Sequence, residues 1–394
     1  MDDLGHWRDE FPILSRSVYM ISNSLGAMPR QTARNLAEYA ETWATRGVRG
    51  WEERWWEMPA EIGDKIATIV GAAAGSVSMH ENVTTAQMVA LSCVRPSGAR
   101  TRIVCSAMDF PSMVYLYRAQ QAAGFELRIV PAESDLTVST ERMLDAIDDT
   151  TAIVAFSYVL FRTSYIMDAD AIASRARQVG AMTMLDTYQS AGIIPVDVES
   201  LGVDFAVGGC LKWLCGGPGN AFLYTRPDLL KDATPAFTGW LSREHPFDFD
   251  IEGSDLRSDA MRMMNGTPSI PSYYAALAGL DIINTVGVER IREASRAMTA
   301  RLLALVDRYG FTSAASRDPE RLAGTVAVDV PDALLVSRTL KARDFIVDYR
   351  PPVGIRISPH FYNTMDEIDR VMAEIAAITA SKDYVDGGAP SLVT

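Results

Sequence analysis

Val203-Asp204-Phe205-Ala206-Val207 runs straight into Gly208-Gly209-Cys210-Leu211-Lys212-Trp213-Leu214-Cys215-Gly216-Gly217-Pro218-Gly219, so that one lysine sits in an apolar run fenced by glycines. The first five residues read as a buried strand and the glycines as the loop that leaves it. A lysine in apolar surroundings loses hydration, which favours its neutral form and turns a solvated cation into a nucleophilic amine. The competing reading is an ordinary lysine in a glycine-rich turn. Only the residues brought beside Lys212 can decide between the two.

Working outward, short β-branched runs alternate with helical patterns from about residue 100 to 226. Strands are expected at Thr101–Cys105, Leu127–Val130, Thr151–Tyr158, Ala181–Leu185, Asp204–Val207 and Ala221–Tyr224, with helices at Pro111–Ala123, Thr140–Ile147 and Ala169–Val179. This alternation implies crossover connections and an α/β fold built on a mostly parallel sheet, in which ligands sit outside the carboxyl ends of the strands. After about 285 the pattern changes to a long helix through Arg301–Tyr309, a strand near Thr325–Val330, a helix at Asp332–Lys341, two short strands and a closing helix over Asp366–Thr379. The expected division is a large domain over 51–285 and a smaller α+β domain over 286–394. Residues 1–50, with their own helix at Gln31–Thr45, are expected to pack with the smaller domain, and the tail from Lys382 to Thr394 to fray.

The chain has 394 residues, 48% hydrophobic and 22% charged, as a globular protein of about two domains would. A net charge of −13 argues against nucleic acid or an anionic membrane surface as partner. Any bound phosphate must therefore be held locally. The acidic start, Met1-Asp2-Asp3-Leu4-Gly5-His6-Trp7, lacks the pattern of a secretory signal, and the apolar stretch Ile66–Val77 is too short and too rich in Gly and Ala to span a bilayer. A cytoplasmic location is the expectation. Four cysteines suit reduced thiols, and Cys210 and Cys215 lack the nearby partners that a metal site needs.

Other residues supply what Lys212 would need as a Schiff-base lysine for a carbonyl cofactor such as pyridoxal phosphate (PLP). Met182-Thr183-Met184-Leu185 ends in Asp186, and a carboxylate at the end of a buried strand needs a cationic partner such as a protonated pyridine nitrogen. A strand-end Asp capping the next turn is the alternative. Asn82-Val83-Thr84-Thr85 offers hydroxyls and amides to a phosphate ahead of the helical run Met88–Val94, or is simply a helix cap. Phe110 is placed to stack on a cofactor ring, or to pack in the core. Arg356, in the apolar Gly354-Ile355-Arg356-Ile357, demands an anion, either a substrate carboxylate or one of the 50 acidic residues.

With these residues in view, the chain resembles the fold-type I PLP enzymes of the class V aminotransferase group, and within it the kynureninase-like branch. The segments that carry the likeness are Asn23-Ser24-Leu25-Gly26 with Pro29, Glu81 to Thr85, Asp109-Phe110-Pro111-Ser112, Asp186 with Gln189, Gly202-Val203-Asp204-Phe205 leading to Lys212, Gly216-Gly217-Pro218-Gly219, Gly239-Trp240, and Asp348-Tyr349-Arg350-Pro351 followed by Ile355-Arg356-Ile357. The resemblance implies an aspartate aminotransferase-like fold with PLP on Lys212, Asp186 at the pyridine nitrogen, Thr84 at the phosphate, Phe110 over the ring and Arg356 on the substrate carboxylate. It also implies Val83, Gln189, Trp240 and Thr267 around the cofactor, and a homodimer in which Gly266-Thr267 reaches the neighbouring subunit's phosphate.

Departures bear on the substrate. Kynureninases usually place a tyrosine immediately before the lysine, where this chain has Leu211, and a histidine where it has Gln189. Their aryl-binding histidine has no counterpart in Thr45 to Trp51, and an asparagine is expected near Thr267. The four histidines are at 6, 80, 245 and 360. The expectation is therefore β-elimination from a cysteine S-conjugate or similar amino acid. Kynureninase-type hydrolysis, transamination and a non-catalytic binding role stand as alternatives. A desulfurase would need a mobile cysteine in the C-terminal third, and none follows Cys215. Trp51 and Trp55, one helical turn apart, are expected in core or subunit packing.

Overall fold

Seven strands form the central sheet, in the spatial order 77–80, 221–225, 205–209, 182–186, 151–157, 102–106 and 126–130. The five strands from 205–209 to 126–130 pair in parallel, and 221–225 and 77–80 add an antiparallel edge. The computed structural model describes residues 4–253 and 255–385. Most of the tail expected to fray lies outside them. Strands 151–157, 205–209 and 221–225 are buried at every position, because helices cover both faces of the sheet.

The six expected strands are present to within one or two residues, and helix Ala169–Val179 has the bounds read from its pattern. Two differences matter near the site. The helix expected at Met88–Val94 is Val83–Ser92, because the Asn82 side chain accepts the Thr85 amide and starts it early. The strand Val77–His80 was not expected: Ser78 and His80 break its apolar run, yet both are buried and share a hydrogen bond.

The C-terminal part is a three-stranded antiparallel sheet, 348–350, 354–357 and 326–328, packed by helices Val288–Tyr309, Ala333–Ala342 and Met365–Ser381. The long helix buries Val288, Ile291, Ala294, Met298, Leu302 and Leu305, one stripe at three- and four-residue spacing. Residues 4–50 divide their contacts. Val18–Tyr19 pairs with Phe345–Ile346 and Arg8 bridges to Glu367, whereas helix Arg30–Arg46 packs on Ile270–Val286.

Candidate active site

The sheet changes direction between strands 102–106 and 151–157: the chain passes from the first out to 126–130, and from the second towards 182–186 on the other side. A crevice must open where the two connections part. Asp109 pins it, accepting the Ser106 amide on one carboxylate oxygen at 2.7 Å and the Ser157 amide on the other at 2.8 Å. Burial pushes its pKa up, and those hydrogen bonds pull against the rise.

In this crevice lies a cavity of about 250 Å³, lined by Val83, Phe110, Val159, Phe161, Asp186, Tyr188, Gln189, Leu211 and Lys212, among others. Lys212 Nζ stands 4.3 Å from the centroid of the Tyr188 ring and 5.9 Å from that of Phe110. The lysine is only partly buried because it lines the cavity, but protein rings its amine, and the lost hydration pulls its pKa down. Asp186, at the end of its strand, is buried and its pKa rises for the same reason. One of its carboxylate oxygens accepts the Tyr188 amide at 2.8 Å, and the other has no hydrogen bond among the described residues.

The glycines around Lys212 are there for contact. A Cβ at Gly209 would stand 2.6 Å from the Tyr188 ring, and one at Gly26 would stand 2.1 Å from the Lys212 carbonyl oxygen. The N-terminal segment thus packs directly on the lysine loop, with the Gly26 amide donating to the Leu211 carbonyl at 2.8 Å. Gln189 adds a second tie. Its Nε2 donates to the Asn23 carbonyl and its Oε1 accepts the Trp213 indole N–H, both at 3.0 Å. A carbonyl can only accept and an indole can only donate, so the amide's orientation is fixed, and one N–H of a cavity-lining side chain remains. His360, neutral because burial pushes its pKa down to about 4, ties the Trp213 carbonyl at 2.8 Å.

Val83 and exposed Thr84 open the helix at the cavity's edge. Their amides have no acceptor among the described residues, as expected of the first turn of a helix. Phe110 keeps one edge towards Phe161, with ring centroids 5.2 Å apart, and remains 44% exposed. Arg356 is buried directly opposite Asp348 on the neighbouring strand and pairs with it through two nitrogens, while a third donates to the Phe161 carbonyl. Three of its five N–H groups are thereby used, leaving one on each terminal nitrogen.

Trp240 and Thr267 are not on the cavity of the single chain. Trp240 packs against Trp56 and Phe247, with centroids 5.6 and 5.8 Å away, and Thr267 is exposed. Trp51 and Trp55 meet edge to face at 5.5 Å within a π-helical turn, Trp51–Trp55. Sequence reasoning gave no role to Tyr188, Asp109 or Asp348. Asp348 was within reach, because a hairpin over 348–356 sets it opposite Arg356.

The donor set suits PLP: an amine of lowered pKa, a buried carboxylate with a free oxygen, an aromatic wall, and open helix amides beside a hydroxyl. The family model "Aminotransferase class-V" matches residues 18–371. The chain belongs to the class V aminotransferase family. Among class V relatives, it is 31% identical to the uncharacterized aminotransferase YcbU of Bacillus subtilis (strain 168), over 95% of this chain and 98% of that one. It is 29% identical to the kynureninase of Geobacillus thermodenitrificans (strain NG80-2), over 97% and 93%. In fold it matches a C-DES mutant with glycine covalently linked to the PLP cofactor, with a TM-score of 0.85 at 20% identity over 96% and 99% of the two chains. The protein is a PLP-dependent enzyme of fold type I.

Proposed function

We propose that this class V enzyme removes the α-proton of an amino acid and breaks a bond at its β-carbon, by β-elimination from a cysteine S-conjugate-like substrate. When bound, PLP would supply an electron sink that acidifies the substrate's α-carbon. Lys212 takes the α-proton onto Nζ, its amine having been made available by lost hydration. Asp186 would keep positive charge on the ring nitrogen, Phe110 would cover the ring, and Val83 and Thr84 would hold the phosphate. Gln189 would offer its remaining N–H to the cofactor. Arg356 takes the substrate carboxylate end-on, through the two N–H groups that Asp348 and Phe161 leave over. Trp240 and Thr267 act from a second copy of the chain in a homodimer. The cofactor belongs to the large domain, 51–285, with 286–394 as the smaller one, and the enzyme works in the cytoplasm. Among the described residues no helix is long and apolar enough to cross a membrane.

The observation that favours elimination is the wall around Lys212. Leu211, Val159, Phe161, Met113 and Phe110 give it a mostly apolar surface, the hydroxyls on it are those of Ser24, Ser112, Ser157 and Tyr188, and its charged groups are Lys212 and Asp186, with no histidine among them. A departing thiolate asks little of such a wall, whereas hydrating a γ-carbonyl requires a held and activated water. The test is to load the protein with PLP and offer it cysteine S-conjugates, L-kynurenine and plain amino acids, scoring products by mass spectrometry. Pyruvate from an S-conjugate is expected. Alanine from kynurenine without pyruvate from any conjugate would replace elimination by hydrolysis, and keto acids retaining the substrate's side chain would mean transamination.

A further inference from the structure

We infer that Tyr188 is a further catalytic residue, whose ring face holds Nζ of Lys212 in the charged state that follows proton uptake. This rests on Lys212 being the base. When the proton leaves the α-carbon, its electron pair stays on the substrate and the lysine amine becomes an ammonium, inside a cavity whose surface is mostly apolar. An ammonium within about 6 Å of an aromatic centroid is attracted by the ring's negative face, the more so when dehydrated. The observed 4.3 Å is well inside that limit.

A second observation points the same way. Gly209 ends the strand that leads to Lys212, and a Cβ there would strike Cζ and the hydroxyl of Tyr188 at 2.6 Å. Gly209 lies outside the left-handed region, so its backbone shape does not call for glycine, and the space given to the Tyr188 ring does. On the other side, the Tyr188 amide is fixed to Asp186 at 2.8 Å. One tyrosine is thus held between the carboxylate and the lysine, its ring turned to the amine. The charged groups that act on Lys212 are Asp186 and Asp348, which favour the ammonium, and Arg356 and Arg350, which oppose it. Tyr188 adds to the first set without adding a charge.

The test follows the acylation rate of Lys212 against pH, read by peptide mass spectrometry on the full-length protein freed of PLP. Tyr188→Leu should lower the midpoint by roughly half a unit to one and a half units, as a lost cation–π contact implies. Tyr188→Phe, which keeps the ring face, should titrate with the parent. Gly209→Ala, which displaces the ring but retains the tyrosine, should shift the midpoint down with the leucine variant, and it serves as the deciding variant if that one fails to fold. Coincident profiles for the parent and the ring-displaced variants would overturn the proposal, as would a phenylalanine variant shifted as far as the leucine one. Borohydride fixation of PLP in the parent separately reports whether Lys212 is the cofactor lysine, so the two readings fail independently.

Discussion

Lys212 and Arg356 are both cations withdrawn from water, and the chain treats them in opposite ways. Arg356 is met by the Asp348 carboxylate on two nitrogens and by a backbone carbonyl on a third. Lys212 is met by ring faces, with Asp186 acting on it through charge. An arginine does not give up its proton in a protein, so satisfying it keeps a fixed charge in place. A lysine can be tuned, and lost hydration without a bonded carboxylate moves it towards the neutral amine that attacks carbonyls. The difference separates a group that orients substrate from one that changes state in each turnover.

Breaking the lysine side should cost most. Lys212→Ala should remove the absorbance of the lysine-linked cofactor and lower kcat by 10²-fold or more, on the order of a lost general base; an unchanged spectrum would put the cofactor on another residue. On the arginine side, Asp348→Ala strands a buried guanidinium and should cost about 3–5 kcal/mol in denaturant unfolding, whereas replacing both partners by apolar residues of similar size should recover much of that. Arg356→Lys keeps the charge and loses the fork, so KM for amino acids should rise by an amount equivalent to about 2 kcal/mol while kcat moves little. An unmoved KM would mean that another group holds the carboxylate.

The smallest effect concerns pH. The folded-state pKa of Lys212 lies below its ordinary value of 10.5, so between the two the unfolded chain binds more protons than the folded one. Stability of the PLP-free protein should therefore rise with pH across that window, and the contribution should be absent below the folded pKa. Lys212→Met should flatten this slope in unfolding measurements at a series of pH values. A variant with the parent's slope would show that the lysine is not dehydrated.

Much of this was legible in the chain because the signals are local. Short β-branched runs between helical patterns place the parallel strands, and Asp186, Phe110 and Lys212 lie just at or beyond their carboxyl ends, where such sheets bind ligands. Contacts between distant segments were not legible in the same way. Tyr188 gains its meaning from Gly209 on the next strand, and Asp109 gains its meaning from two strand ends that it joins. Val77–His80 was hidden by buried polar residues that satisfy one another. Trp240 lies off the cavity because its partners, Trp56 and Phe247, come from segments whose meeting no local signal announces.

The claim that Lys212 is the convertible cation is tested most directly by reducing the PLP-loaded protein with borohydride and mapping the adduct. The chain has five lysines, at 65, 212, 231, 341 and 382, so the assignment by peptide mass is unambiguous. A phosphopyridoxyl group on Lys212 and no other lysine is the expected result. An adduct on any other lysine, or none at all, would contradict the account.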